Sequence, residues 1–235
     1  MSSATKVAFE EHVALLKTCR LSESRSGRIR ASRTCFSAWK MASQMPTPIF
    51  NHVMRVFCYA NQIAQNEVSP IESKERANRN VALLYVACML HDIGVLEKFN
   101  GSARFEVEGA DAAAEMLREE DFGEEDIREV WIAIACHTSP GIAERIGVLA
   151  RLVRKAVVYD FREKIREKNE AARSLGDIME AAGMLLRLDI EKYLGDAVVK
   201  QAIDKPKKAP HGSWPGCLLD AYNKEPLFDG VNAAF

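Results

Sequence analysis

The chain has 235 residues, 48% of them hydrophobic and 28% charged, which is enough to bury the core of one domain. Its 32 Lys and Arg against 33 Asp and Glu leave a formal net charge of −1, so it lacks the electrostatic footprint of a nucleic-acid or anionic-membrane binder. The longest apolar run, "VALLYVACML" at 81–90, is far short of the roughly 20 residues that span a bilayer. Six scattered cysteines without a C-x-x-C pair fit reduced, buried thiols better than a disulfide framework or a thiolate zinc site. A cytoplasmic location is expected, with a small-molecule substrate as partner, no nucleic acid, no membrane, and at most further copies of the chain.

Apolar residues recur at helical spacing almost everywhere and no run alternates with period two, so the fold class is all-α. A first helix is expected over "KVAFEEHVALLKTC", followed by the Arg/Ser-rich "RLSESRSGRIRASRT", read as a solvated linker, and a second helix near "CFSAWKMASQM". Residues 1–40 form an N-terminal helical extension in this reading, 41–203 the helical core, and 204–235 an irregular tail packed on it. Thr47 can cap a helix whose first turn starts at Pro48, so "PIFNHVMRVFCYANQIAQ" carries His52 and Arg55 on one helix.

The polar "SPIESKERANRN" leads into a helix that ends at His91, with Gly94 marking the stop. An irregular stretch "VLEKFNGSARFEVEGAD" precedes a helix "DAAAEMLREE", and "GEEDIREVWIAIACH" starts another with its acids in the first turn, where the helix dipole favours them. After the turn "TSPG", one long helix is expected over "IAERIGVLARLVRKAVVYDFREKI". Leu149, Val153, Ala156 and Asp160 share one of its faces, which turns Asp160 toward the core. One or two further helices follow in "LGDIMEAAGMLLRLDIEKYLGDAVVKQAI" before the Pro/Gly-rich tail.

Only five histidines are present, and His52, His91 and His137 fall at positions that the helical pattern turns inward. One such histidine is ordinarily a hydrogen-bonded core residue. Three of them, with Asp92 next to His91 and Asp160 facing inward, make a donor set of nitrogen and carboxylate oxygen that suits a divalent ion. The ion in turn neutralises carboxylates that are otherwise costly to bury.

The order His52, His91–Asp92, Asp160 over separate helices resembles the H…HD…D motif of the HD-domain superfamily of metal-dependent hydrolases and lyases. The flanks "PTPIFNHVMRVFCYA", "CMLHDIG", "RFEVEGA" and "LARLVRKAVVYDF" look like the corresponding blocks of its fungal cyanamide hydratase-like branch, over about residues 40–162. The resemblance implies an HD-domain orthogonal helical bundle in which His52, His91, Asp92 and Asp160 hold one metal ion. It implies that Arg55 matches the family's arginine, that Glu106 matches the acid of the Phe-acid-x-x-Gly block, and that His137 is a polar active-site residue. Val53 in place of the usual Ser, and "CHTSPG" in place of Arg-His-acid, are departures that bear on the substrate pocket, where Val53, Phe105 and Thr138 are placed.

A single ion is the simpler count, zinc first with iron or manganese as alternatives; a second ion would need carboxylates such as Glu106 or Asp111, since His12 and His211 look peripheral. Such an ion lowers the pKa of a water into the neutral range, and the base for that water is sought among Glu106, Glu108, Asp111 and His137. For Glu108 and Asp111, helix N-terminal charge is the preferred reading. Arg55 either binds an anion or pins a metal-binding Asp, and the second role is preferred. Trp214 is a candidate to cover the pocket, with an ordinary docking aromatic as the preferred reading. The expected activity is hydration or hydrolysis of a small C–N substrate such as a cyanamide, nitrile or amide; the alternative is a phosphohydrolase acting on a nucleotide or small phosphomonoester.

Overall fold

The computed structural model describes residues 25–67, 74–161, 177, 180 and 183–235. The helix expected over 6–19 lies outside them. Helix α1 spans Arg25–Ala42, α2 Thr47–Glu67 and α3 Lys74–Leu90. After two short 3-10 turns at Ile93–Val95 and Glu97–Phe99 come α4 at Phe105–Glu119 and α5 at Glu124–Ala135. Then follow α6 at Ala143–Ile146, α7 at Val148–Phe161, α8 at Ile190–Asp204 and α9 at Trp214–Lys224. No strand occurs among the described residues, so the fold is an all-α bundle.

Helices α2 and α3 form its centre. Every residue from Ala82 to Leu90 is buried, as expected for a helix apolar on all sides, and Phe57 of α2 meets Tyr85 of α3 edge to face at 4.8 Å. Helix α1 covers α3, α4 pairs with α5, α7 crosses α2 and α5, and α8 carries α9. No described helix is long and apolar enough to cross a membrane.

Four local expectations are corrected. The supposed linker is helical from Arg25 on, because Cys35, Ala38, Trp39 and Ala42, at spacings of three and four, seat α1 in the common core. The long helix over 142–165 is split, with Gly147 between α6 and α7. The tail is not wholly irregular: Ser213 accepts the Gly216 amide at 3.1 Å as an N-cap, Pro215 sits in the first turn, and Leu218 of α9 is fully buried.

The fourth correction concerns 105–110, read as irregular, which is the first turn of α4. The two glycines flanking it serve close approach rather than chain reversal. A Cβ on Gly94 would lie 1.9 Å from the Phe105 carbonyl oxygen, and one on Gly109 would lie 3.2 Å from the Leu90 carbonyl oxygen. The turn carrying His91 and Asp92 is thereby pressed against the start of α4. Gln201 of α8 holds it from the other side, donating to the carbonyls of Gly94 (3.1 Å) and Val95 (3.0 Å).

Candidate metal centre

His52 projects from α2, His91 and Asp92 follow the last turn of α3, and His137 follows α5; all four are buried. Each ring has its Nδ1–H engaged. His52 donates to Asp160 Oδ2 at 2.6 Å, His91 to the Cys88 carbonyl at 2.8 Å, and His137 to the Ile134 carbonyl at 2.7 Å. That fixes the tautomer and leaves every Nε2 with an outward lone pair.

Those lone pairs converge. His52 Nε2 and His91 Nε2 stand 3.2 Å apart, and Asp92 Oδ2 is 3.2 Å from the latter and 3.5 Å from the former. Asp92 Oδ1 is 3.5 Å from His137 Nε2. Neither Asp92 oxygen has a hydrogen-bond donor of acceptable geometry, although the residue is fully buried. Acceptors facing one another repel unless a cation or a proton lies between them. Ligand atoms about 2.0–2.2 Å from a tetrahedral ion stand roughly 3.3–3.6 Å apart, close to the edges seen here. His52, His91 and Asp92 therefore fit a divalent metal ion, with His137 beside them.

The electrostatics favour the ligand form of His52 and Asp92, and the protonated form of His91 while no cation is there. Burial lowers the His52 pKa, and the neighbouring aspartates do not fully reverse it, so the ring favours the neutral form a ligand needs. His91 is pushed down by burial but more strongly up by Asp92, ending raised. Burial raises Asp92, and the surrounding imidazoles His91, His137 and His52 outweigh it, holding the carboxyl well below its ordinary value.

Asp160, expected among the ligands, lies against the Nδ1 side of the His52 ring. Its Oδ1 accepts from Arg55 Nε (2.8 Å) and an Arg187 terminal nitrogen (3.1 Å), and its Oδ2 from His52 Nδ1 (2.6 Å) and an Arg55 terminal nitrogen (2.9 Å). The cause is local: α7 crosses α2 at the face where His52 and Arg55 lie one turn apart, and Arg55 takes the carboxylate in a bidentate grip. Burial raises the Asp160 pKa, but His52 and Arg55 outweigh it and hold it far below the usual range. Arg55 is itself fully buried, and its guanidinium holds the Asp160 carboxylate.

A cavity of about 570 Å³ opens on this cluster. Its wall includes His52, His91, Asp92, His137 and Thr138, as well as Arg104 and Arg154. Glu106 is fully buried behind that wall: its Oε1 accepts the Thr138 hydroxyl at 2.6 Å, while Oε2 lacks a donor, with Arg104 Nε 4.0 Å away. Phe105 is equally buried, its ring 5.7 Å from that of His137. Val53 belongs to the core and not to the cavity wall.

Glu108 caps the Ala103 amide at 2.7 Å and Asp111 accepts from Trp131 Nε1 at 2.7 Å, so neither faces the cluster; His211 is exposed in a turn. His12 lies outside the described residues. Arg154, Phe161, Trp214 and Phe235 all line the cavity, a role that their sequence positions do not announce. Only Trp214 has a readable signal, the Ser-x-Pro helix start of "GSWPG".

The HD domain family model matches residues 49–175, more than half of the chain's 235 residues. This chain belongs to the HD-domain family. In HD-domain terms His91 and Asp92 are the doublet and His52 is the upstream histidine. HD-domain proteins are generally metal-dependent hydrolases, and the His52, His91, Asp92 cluster gives this one the donors for an ion. No curated protein matches the chain.

Proposed function

We propose that this HD-domain protein is a metal-dependent hydratase or hydrolase that adds water to the carbon of a C–N bond in a small organic substrate of the cyanamide, nitrile or amide class. The observation that carries the reading is the state of Thr138. Its hydroxyl proton goes to the buried Glu106 carboxylate, so toward the cavity its oxygen presents acceptor lone pairs. An acceptor there suits the N–H of an amide or cyanamide and opposes a phosphate oxygen, which is itself an acceptor. Arg55, the cation nearest the motif in sequence, is consumed by Asp160 and offers phosphate nothing.

His52, His91 and Asp92 would hold the ion, with zinc, iron or manganese compatible with two imidazoles and a carboxylate. When bound, such an ion supplies Lewis acidity that polarises the substrate and brings the pKa of water near 7. Asp160, anchored by Arg55, keeps the His52 ring in one orientation. His137 carries its proton on Nδ1, so its Nε2 is free to accept one at the cavity wall. Glu106 sets the Thr138 hydroxyl as an acceptor for substrate N–H.

A phosphohydrolase is the second reading, favoured by one observation: Arg104 and Arg154 both line the cavity. Metal-loaded protein offered cyanamide, small nitriles and amides should release urea, amide or ammonia, and release little phosphate from a nucleotide panel. Thr138→Val should lower C–N turnover roughly 10–100-fold while Thr138→Ser retains it. Phosphate release without any C–N turnover would reverse the ranking.

A further inference from the structure

The cavity is far larger than its smallest suitable substrate. At about 570 Å³ it falls in the roughly 300–1,000 Å³ range of sites that enclose a drug-sized molecule, whereas cyanamide has only three heavy atoms. Three aromatic rings, Phe161, Trp214 and Phe235, line the cavity. Phe161 stacks on His52 at 4.5 Å, and Phe235 meets Phe161 edge to face at 4.9 Å and Trp214 at 5.4 Å. These rings form a continuous aromatic series that starts on the His52 ring and lines the cavity.

Phe235 is held in this position by more than its own ring contacts. Residues 225–235 return from α9 across α8, and Asn232 fastens them: its Nδ2 donates to the Leu218 carbonyl and its Oδ1 accepts the Ala234 amide, both at 3.0 Å. The Phe235 ring then rests on Gly195 of α8, where a Cβ would reach 3.4 Å from its edge. A strap fastened through Asn232, carrying an aromatic to the cavity wall, is costly to order unless the ring has a use.

We propose that Phe161, Trp214 and Phe235 form a subsite for the organic body of the substrate, so that this enzyme takes C–N compounds bearing a flat or branched apolar group in preference to bare cyanamide. The inference rests on the C–N reading above and adds the substituent to it. Rings meeting edge to face offer a planar group the faces and edges that no neighbouring ring covers, and Thr138 lines the same cavity.

The test is binding of benzamide against acetamide to the full chain, by calorimetry with and without zinc, together with turnover of benzonitrile against cyanamide. Wild type should bind benzamide at least about tenfold more tightly than acetamide. Phe235→Ala, and Asn232→Ala at a residue that does not line the cavity, should shrink that ratio to below about threefold with little change in acetamide affinity. A wild-type ratio near one, or variants that keep the full ratio, would overturn the subsite. C–N turnover without an aromatic preference removes the subsite and leaves the reaction class standing. A Phe235-dependent preference for benzamide without C–N turnover supports the subsite and removes the reaction class.

Discussion

Asp92 and Asp160 are both fully buried and both lie against His52, yet the protein treats them in opposite ways. Asp160 is satisfied by protein alone: two arginines and a histidine donate to its oxygens. Asp92 is surrounded by imidazole nitrogens whose protons are spent elsewhere, and its oxygens have no donor. A buried carboxylate closed by donors is a structural device; one that faces lone pairs instead is suited to a cation. An acid in a motif therefore has to be read with its donors, since His52 bridges an aspartate of each kind.

The contrast predicts changes of different size. Arg55→Met should destabilise metal-free protein most, by about 3–5 kcal/mol, because Asp160 then keeps a buried charge with its bidentate partner gone. Arg187→Met, on a partly exposed arginine, should cost nearer 1 kcal/mol. Urea unfolding of both variants checks the pair, and equal costs would mean that burial does not distinguish the two arginines.

Asp92→Asn should behave in the reverse manner. Metal content by elemental analysis should fall from near one ion per chain to near none, while metal-free protein loses less stability than in Arg55→Met, because Asp92 gives up only its attraction to the neighbouring imidazoles and no bidentate arginine. The chelator-induced loss of stability expected of wild type, about 2.7 kcal/mol at a hundredfold excess of ion over Kd, should vanish in the variant. If Asp92→Asn destabilised metal-free protein as severely as Arg55→Met, the two aspartates would be alike and the comparison would fail.

Most of the fold and part of the site are legible in the amino-acid sequence. Helical periodicity carries the all-α class, the inward histidines and the buried Asp160, because burial on one face leaves a local pattern. That Arg55 meets the same carboxylate as His52 follows from their one-turn spacing. What periodicity does not carry is which donors meet across helices: Asp160 as a ligand and Asp160 as the anchor of His52 have the same spacing and the same burial. The same holds for Val53, inward on α2 but packed in the core, and for Phe235, whose place depends on a strap that crosses α8. Gly109 misleads locally, since a glycine lowers helix propensity whatever it does for the packing of the turn at Gly94.

The smallest expected effect separates the two states of the cluster by pH. In metal-free protein His91 has its pKa raised above the ordinary 6.5, so its contribution is complete below 6.5 and is lost as pH rises through the raised value. His52 has its pKa lowered below 6.5, so the unfolded chain binds the proton first and stability falls as pH drops from 6.5 toward the lowered value. Asp92 and Asp160 both stay ionised below 3.8 and contribute no slope in this range. Metal-free protein should therefore be most stable near pH 6.5, with slopes of at most about 1.4 kcal/mol per pH unit from each ring. Metal-loaded protein needs both rings unprotonated, so its stability should keep rising above that pH and its ion should leave on acidification. Urea midpoints measured from about pH 5 to 8.5 with and without chelator read both curves. Profiles that run parallel would mean that the ion and the proton do not compete for the same nitrogens, and that His52 and His91 are not its ligands.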